Sequence, residues 1–297
     1  MKVLSLFDGI SCGMVALERA GIPVERYVAY EIDENAIKVS KRNYPQIEHF
    51  GDVTKADFTQ YKGFDLLIGG SPCQNMSTLG NRTGLQGEKS SLFFEFARAL
   101  KEVSPKFFFL ENNSNMPKAD RQKITEILGV RPIEINSSIF VPQNRPRLYW
   151  IGKKTETGDY ETINIELPQT TKTNLREVIA DYCEKIDPVP FVLKKIPEIM
   201  YKYGYLPGMF NPYNLAEITR VSPCLTSQGN SQTKSSSIII NNLDGTFSMP
   251  NSVAWERLQT IPDGYTEGVA EGIRKSLVGN GWTVDAIAHI LKGLVQE

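Results

Sequence analysis

The chain has 297 residues, of which 41% are hydrophobic and 23% are charged, a composition that is ordinary for globular proteins. The formal net charge is −1, which excludes a polybasic tail binder but leaves room for a local basic groove. We expect a cytoplasmic protein, because the start of the chain lacks signal-peptide features and no run approaches the roughly 18 apolar residues of a membrane helix. Four widely spaced cysteines and only two histidines argue against a metal site.

The first 150 residues alternate short apolar runs with stretches of helical periodicity. The apolar runs predict buried strands at Lys2–Phe7, Tyr27–Tyr30, Phe64–Ile68 and Phe107–Leu110. The periodic stretches predict helices at Gly13–Ala20, Glu34–Asn43 and Leu92–Val103. This alternation predicts an α/β fold with a doubly wound, mostly parallel sheet. Two β-rich segments, Arg131–Ser138 and Arg147–Ile151, predict antiparallel strands at the edge of that sheet.

The texture of the sequence changes beyond Gly152. Residues 153 to about 252 are rich in Thr, Asn, Ser and Pro, with weak periodicity and one apolar triplet, Ile238–Ile240. Helical patterns return at Trp255–Ile261 and Val284–Val295. We therefore predict a larger domain formed by residues 1–152 and about 253–297, and a smaller irregular domain formed by about 153–252.

A glycine-containing turn follows the first strand, with the sequence Phe7-Asp8-Gly9-Ile10. Glycine lets backbone N–H groups approach a ligand, and the helix that follows adds a positive dipole. Glu31 and Asp52 follow the next two strands, where acids can accept hydrogen bonds from ribose hydroxyl or adenine amino groups. The pattern favours a nucleotide-type cofactor, and the alternative is a plain strand–helix turn with solvated acids.

A cysteine lies on the loop after the strand Phe64–Ile68, within Gly69-Gly70-Ser71-Pro72-Cys73-Gln74. Ligands of open α/β sheets bind at the carboxyl ends of the strands, so the thiol of Cys73 is expected at the edge of an active site. Free cysteines are usually small buried hydrophobic residues, and that interpretation suits the other three cysteines. For Cys73 the flanking Gly, Pro and polar residues favour a nucleophile.

Two more polar motifs follow buried strands. Glu111-Asn112-Asn113 comes directly after Phe107–Leu110, and a carboxylate there can act as an acid. The segment Gln143–Arg147 brings two guanidinium groups to the same region. They are either surface arginines of a hairpin, or one orients the carboxylate or a base while the other meets phosphate.

Taken together, the motifs strongly resemble those of the cytosine-C5 DNA methyltransferase family, and the pattern looks closest to the catalytic domain of the de novo enzymes. The resemblance covers most of the chain and is carried by Phe7–Gly13, Ser71–Gln74, Glu111–Asn113, Gln143–Trp150, Arg220–Thr226 and Gly279–Val284. It implies a Rossmann-like methyltransferase sheet. It also implies that the larger domain carries the chemistry and the cofactor, while the smaller one recognises the target.

The resemblance implies S-adenosyl-L-methionine as the cofactor. The residues that would bind it are Phe7, Asp8, Gly9, Ile10, Glu31, Ile32, Asp52, Val53, Pro72, Leu92, Asn280 and Trp282. Cys73 would attack C6 of a flipped-out cytosine, and Glu111 would hydrogen-bond its N3 and exocyclic amine. Arg147 would hold O2 of the base and help to place Glu111, whereas Arg145 would meet the DNA backbone.

Double-stranded DNA is the partner that the resemblance implies. The resemblance is also compatible with a cognate restriction endonuclease as a second partner. The residues expected to contact DNA are Gln74, Asn75, Ser77, Arg82, Gln143, Gln228, Asn230 and Lys234. An RNA cytosine methyltransferase and a catalytically inactive DNA-binding module remain as alternatives. The intact set of Cys73, Glu111, Arg145 and Arg147 argues against the inactive module. A Rossmann oxidoreductase is disfavoured because the turn lacks the GxGxxG spacing.

Overall fold

A computed structural model describes residues 1–71, 92–170, 173–186, 215–226, 238–244 and 246–296. The chain forms two compact units: Met1–Ile135 with Pro146–Leu167 and Ala286–Glu297, and Asn136–Arg145 with Pro168–Asp285. These boundaries differ from the predicted ones, because residues 253–285 group with the second unit. Among the described residues, no helix is both long enough and apolar enough to cross a membrane.

Strands and helices alternate through the first unit, and further elements follow in the second unit. In chain order the strands are β1 (Lys2–Leu6), β2 (Arg26–Tyr30), β3 (Glu48–Phe50), β4 (Leu66–Gly70), β5 (Phe107–Asn113), β6 (Pro132–Asn136), β7 (Pro146–Lys154), β8 (Tyr160–Thr162), β9 (Cys183–Ile186), β10 (Leu215–Glu217), β11 (Ile239–Asn241) and β12 (Phe247–Pro250). The α-helices are α1 (Cys12–Ala20), α2 (Glu34–Asn43), α3 (Leu92–Val103), α4 (Lys118–Leu128), α5 (Leu175–Ile179), α6 (Ser252–Leu258), α7 (Glu271–Asn280) and α8 (Val284–Gln296).

The central sheet has the strand order β3-β2-β1-β4-β5-β7-β6, with β8 paired to β7. Strands β1 to β5 pair in parallel, whereas β7 runs antiparallel to β5. The order reverses between β1 and β4, which is the position where doubly wound sheets bind ligands. The predicted mostly parallel sheet and its antiparallel strand β7 are confirmed.

The core of the first unit is built from the apolar runs that predicted the strands. Phe108, Leu110 and Trp150 are fully buried, and α3 covers them with a face that includes Phe93 and Phe96. Burial of each such side chain stabilises the fold by roughly 1.5–3 kcal/mol. The pairing of β5 with β7 requires glycine at position 152, because a Cβ there would lie 2.3 Å from the ring of Phe108.

In the described residues of the second unit, four strands form a sheet in the order β10-β11-β12-β9. The region was expected to be irregular, and the triplet Ile238–Ile240 was its one strand-like signal. The strands are only three or four residues long, so each is too short to show a period in the sequence. Cross-strand pairing, which joins β9 to β12 across more than 60 residues of chain, creates the sheet.

Candidate active site

The polar motifs of the first unit lie at the carboxyl ends of neighbouring parallel strands. The turn Phe7–Gly9 follows β1, Glu31 follows β2, and Ser71 follows β4. Glu111 lies in the last part of β5, in register with Gly70. Since parallel strands end at the same edge of a sheet, the fold brings these motifs to one edge, as the sequence predicted.

The turn after β1 is held in a left-handed conformation. Phe7, Gly9 and Ser11 have φ values of 58°, 61° and 60°, a region that costs non-glycine residues about 1–2 kcal/mol. The N–H of Gly9 donates to Glu31 Oε2 at 2.8 Å. The other oxygen of Glu31 accepts from the N–H groups of Ile32 and Asp33, both at 2.8 Å. Glu31 therefore fixes the turn against the end of β2.

Asp8 points away from this edge into a buried polar cluster. Its Oδ1 accepts from the hydroxyls of Ser5 and Tyr27, and its Oδ2 accepts from Ser11. Burial raises the pKa of Asp8 to about 6, although all three hydroxyl donors act in the opposite direction. The side chain of Asp8, only 8% exposed, therefore lies inside the protein, and the predicted role of Asp8 in cofactor binding falls to its backbone in the turn. Ile10, only 1% exposed, is likewise a core residue.

Exposed apolar side chains lie beside the acids at the ends of β2 and β3. Ile32 is 74% exposed and Phe50 is 41% exposed, and the ring of Phe50 stacks on Tyr30 at 5.5 Å between centroids. Asp52 accepts from the N–H and the hydroxyl of Thr54, and these bonds lower the pKa of the Asp52 carboxyl. Val53, also predicted to bind the cofactor, is buried, with 5% exposure.

Glu111 and Arg147 form an ion pair on adjacent strands. The Nε of Arg147 lies 2.9 Å from Oε1 of Glu111, and the two side chains are 14% and 13% exposed. Antiparallel pairing of β5 and β7 sets Asn113 opposite Arg147, so the arginine reaches diagonally to the carboxylate. The expectation that Arg147 helps to place Glu111 fits this geometry.

Asn112 is a site residue that the sequence analysis did not single out. Its side chain is buried and donates to the hydroxyl of Ser71 at 3.1 Å and to the carbonyl of Ser71 at 3.4 Å. Its carbonyl oxygen accepts from the N–H of Asn113. Asn112 thus fastens the chain two residues before Cys73 to the strand that carries Glu111. A buried amide after an apolar strand was the available signal.

Several predicted residues lie outside the described part of the chain. These are Pro72, Cys73, Gln74, Asn75, Ser77, Arg82, Gln228, Asn230 and Lys234. Of the other predicted cofactor residues, Leu92 begins α3, Asn280 ends α7 and is exposed, and Trp282 is half-buried two residues later.

Arg145 lies inside the second unit and not at a phosphate-facing surface. Its guanidinium donates to the carbonyls of Leu225, Gly279 and Gly281 at 2.8, 3.1 and 2.8 Å, and the residue is only 4% exposed. The prediction that Arg145 meets the DNA backbone does not fit, because three carbonyls already occupy the planar fork.

Gln143 is also internal, with no exposed surface. Its amide donates to the carbonyl of Leu258 and to Gln259 Oε1, and its oxygen accepts from the N–H of Leu225. The predicted contact of Gln143 with DNA does not fit this position. Both residues instead tie together the chain segments that make up the second unit.

Comparison with known proteins decides the family. Residues 1–205 match the C-5 cytosine-specific DNA methylase family. The chain belongs to this family. An orphan methyltransferase of Bacillus phage SPR is 38% identical to this chain over 164 residues, which is 51% of this chain and 37% of the relative. A type II methyltransferase of Lactococcus lactis subsp. cremoris is 32% identical over 189 residues, 60% of this chain and 48% of the relative.

The chain thus spans less than half the length of these curated relatives. Solved structures agree with the fold over the whole chain. The Dnmt2 methyltransferase of S. pombe superposes with a TM-score of 0.71 at 17% identity, covering 100% of this chain and 98% of that one. The methyltransferase EhMeth of Entamoeba histolytica gives 0.74 at 16% identity, with coverage of 100% and 98%. At these identities the likeness establishes the methyltransferase fold.

The family uses S-adenosyl-L-methionine, and the described residues of this chain suit that group. Two carboxylates, Glu31 and Asp52, can accept from ribose hydroxyl and adenine amino groups. The exposed side chains of Ile32 and Phe50 offer apolar faces to a purine ring beside those acids. Backbone held at positive φ around Gly9 leaves the turn open, since a Cβ there would meet nothing within 4 Å.

Proposed function

We propose that this protein transfers a methyl group to C5 of a flipped-out cytosine in double-stranded DNA, with S-adenosyl-L-methionine as the cofactor. The observation that carries the proposal is the ion pair between Glu111 and Arg147. Asn112, next to Glu111, holds Ser71 by a hydrogen bond to its hydroxyl. A carboxyl group and a guanidinium that are mostly shielded from water can together recognise the N3, amino and O2 edge of one cytosine.

The chemistry needs a covalent step because C5 of cytosine is a poor nucleophile. The Cys73 thiolate adds to C6, an S–C6 bond forms, and the electron pair of the C5–C6 double bond becomes available at C5. Glu111 hydrogen-bonds N3 and the exocyclic amine and so stabilises the charge that develops in the ring. When bound, S-adenosyl-L-methionine supplies an electrophilic methyl group to C5. A base, for which water serves, then takes the C5 proton, and the thiolate leaves as the C5–C6 double bond re-forms.

Arg147 has two tasks in this proposal. It holds O2 of the base, and through its 2.9 Å contact it orients Glu111 toward N3. For the cofactor, Glu31 and Asp52 hold the hydroxyl and amino groups, and Phe7, Ile32 and Phe50 surround the purine. Phe50 was not among the residues predicted from sequence.

The division of labour between chemistry and sequence readout is also part of the proposal. The polar stretch around Gln228, Asn230 and Lys234 supplies short donors and acceptors suited to base edges and phosphates. The reactive thiol of Cys73 needs a reducing compartment, so we infer a cytoplasmic location. A cognate restriction endonuclease is a further proposed partner, because one relative carries the name of a type II methyltransferase.

The decisive experiment is bisulfite sequencing after incubation of the purified protein with S-adenosyl-L-methionine and a random-context substrate. Matched duplex DNA and RNA substrates are treated side by side. Protected cytosines in the DNA alone support the proposal and give the recognition sequence. Protection in RNA alone would establish the RNA methyltransferase instead, and no protection in either would contradict both.

A further inference from the structure

A line of hydrogen bonds leads from the cofactor-binding turn to the edge of the sheet. Ser11 donates to Asp8 Oδ2 at 2.5 Å, the hydroxyls of Ser11 and Ser40 are 2.5 Å apart, and Ser40 Oγ is 2.9 Å from His49 Nε2. Ser11 and Ser40 have no exposed surface, and Asp8 is 8% exposed. The line therefore runs inside the protein, from the turn through α2 to β3.

The chemistry of these groups fixes the direction of every hydrogen bond when Asp8 is ionised. A carboxylate only accepts, and a serine hydroxyl has a single hydrogen. The Ser11 hydroxyl donates its hydrogen to Asp8, so Ser40 must be the donor in the hydrogen bond between Ser11 and Ser40. The hydrogen between Ser40 and His49 must then come from Nε2 of the imidazole. His49 is thus the terminal donor of the line.

The other ring nitrogen has no role in this line. Nδ1 of His49 is buried and has no hydrogen-bond partner within the described ranges. Burial and the nearby Lys41 lower the pKa of His49, which favours the neutral ring. The charged and titratable groups that act on Asp8 are Tyr27, which donates to it, and Glu31, whose charge raises the pKa of Asp8. None of them supplies the hydrogen that Ser40 receives.

We propose that His49 is a positioning residue for cofactor binding, which acts through Ser40, Ser11 and Asp8 on the turn Phe7–Gly9. With the Nε2 hydrogen present, the Ser40 hydroxyl must face Ser11 and the Ser11 hydroxyl must face Asp8. Without it, both serine hydroxyls can turn, and Ser11 is no longer restricted to donating to Asp8. Asp8 neighbours Phe7 and Gly9, so its orientation sets the conformation of the backbone that meets the cofactor. This inference rests on the proposed cofactor site.

The first test reads the tautomer of His49 directly and needs no activity. The chain has only two histidines, so ring-nitrogen NMR of the uniformly labelled full chain at pH 8 gives two sets of signals, which a His289→Gln variant assigns. We expect the Nε2–H tautomer for His49. In Asp8→Asn the carboxamide can donate as well as accept, and the Nδ1–H tautomer should gain population. An Nδ1–H tautomer in the wild type would overturn the proposal.

The second test measures the affinity for S-adenosyl-L-methionine by calorimetry in three variants. His49→Phe and Ser40→Ala interrupt the line, and we expect about three- to tenfold weaker binding, the effect of one ordinary hydrogen bond. His49→Gln places an amide donor near the position of Nε2 and should bind within about twofold of the wild type. Equal affinities in His49→Phe and the wild type would overturn the inference.

The two proposals fail in distinguishable ways. If the wild type itself does not bind S-adenosyl-L-methionine, the proposed function is wrong, whereas the tautomer of His49 is still measured. If the wild type binds and His49→Gln is as weak as His49→Phe, the loss comes from packing around the ring, and the directed line is wrong.

Discussion

Arg145 and Arg147 are two residues apart in one motif, yet they belong to different compact units and have different surroundings. Arg147 begins the paired part of β7 and contacts the carboxylate of Glu111 at the edge of the central sheet. Arg145 precedes the strand and donates to three backbone carbonyls in the interior of the second unit. The guanidinium of Arg147 therefore lies beside a candidate active site, while that of Arg145 is fully engaged in hydrogen bonds to the backbone.

The difference shows that a charged motif can combine a reactive group with a structural one. Carbonyl groups that end helix α7 and follow β10 need donors once they are buried, and an arginine fork satisfies several of them at once. A carboxylate that must recognise a base needs a partner that leaves one face open. Substitutions in these two kinds of region should therefore fail differently, either in the rate of methyl transfer or in the stability of the fold.

Replacement of Cys73 by Ala should abolish methyl transfer, by at least about a thousandfold, because the proposed reaction begins with a bond from the Cys73 thiolate to C6. Affinity for S-adenosyl-L-methionine should stay within about twofold, since Cys73 acts on the base. Transfer of a labelled methyl group and calorimetry measure the two quantities. The matched control is Cys183→Ala, at a free cysteine of the second unit, which should leave the rate unchanged. Near wild-type transfer by Cys73→Ala would refute the nucleophile.

Replacement of Arg147 by Ala should lower kcat by about a hundredfold or more, a typical effect of removing one transition-state donor. The loss should be the same in every sequence context, because the arginine serves the flipped base and not its neighbours. Methylation profiling of a random-context library measures this. Gln228→Ala is the comparison, and there we expect a changed context profile with a smaller loss of rate. A context-dependent loss in Arg147→Ala would contradict the assignment.

Replacement of Arg145 by Lys should lower the free energy of unfolding by about 2–4 kcal/mol, because one ammonium cannot satisfy three buried carbonyls. The rate per folded molecule at a saturating cofactor concentration should change much less than in Arg147→Ala. Urea unfolding and active-site titration separate the two quantities. Arg131→Lys, at an exposed arginine, is the control and should stay within about 0.5 kcal/mol of the wild type. If Arg145→Lys were fully stable but inactive, Arg145 would instead have to be assigned a role in the active site.

Asp8 should make stability depend on pH in the acid range. Its folded pKa is raised from 3.8 to about 6, so its favourable contribution is present below pH 3.8 and is lost as the pH rises through 6. Asp8→Asn cannot ionise, and its stability relative to the wild type should therefore increase by up to about 3 kcal/mol between pH 4 and pH 7. Urea unfolding across this range tests it. A difference that is constant with pH would show that Asp8 titrates normally.

Replacement of Glu31 or Asp52 by Ala should mainly weaken the binding of S-adenosyl-L-methionine, by about fivefold or more. Glu31→Ala should have the larger effect, because Glu31 also accepts from the N–H of Gly9 and so holds the turn. Calorimetric titration gives both affinities. Asp57→Ala is a matched control, since Asp57 likewise accepts from a threonine two residues ahead. Unchanged affinities in both variants would show that the cofactor binds at a different site.

Much of the first unit follows from the sequence alone. Short continuous apolar runs that alternate with helical stretches are typical of strands covered on both faces, and so Lys2–Leu6 and Phe107–Leu110 were predictable as central strands. Their order along the chain also fixes which motifs reach the carboxyl edge. The family was identified differently, through the resemblance of the motifs that follow those strands.

Tertiary structure decided what the individual polar side chains do. The sequence predicted ligand contacts for Asp8, Gln143 and Arg145. In the folded chain, their side chains instead hydrogen-bond to donors and carbonyls from distant parts of the chain. His49 carries no local signal, and its link to Ser40 arises only because α2 packs beside β3. Hydrophobic periodicity is local and survives in the sequence, whereas a hydrogen-bond partner is a distant residue that only the folded chain selects.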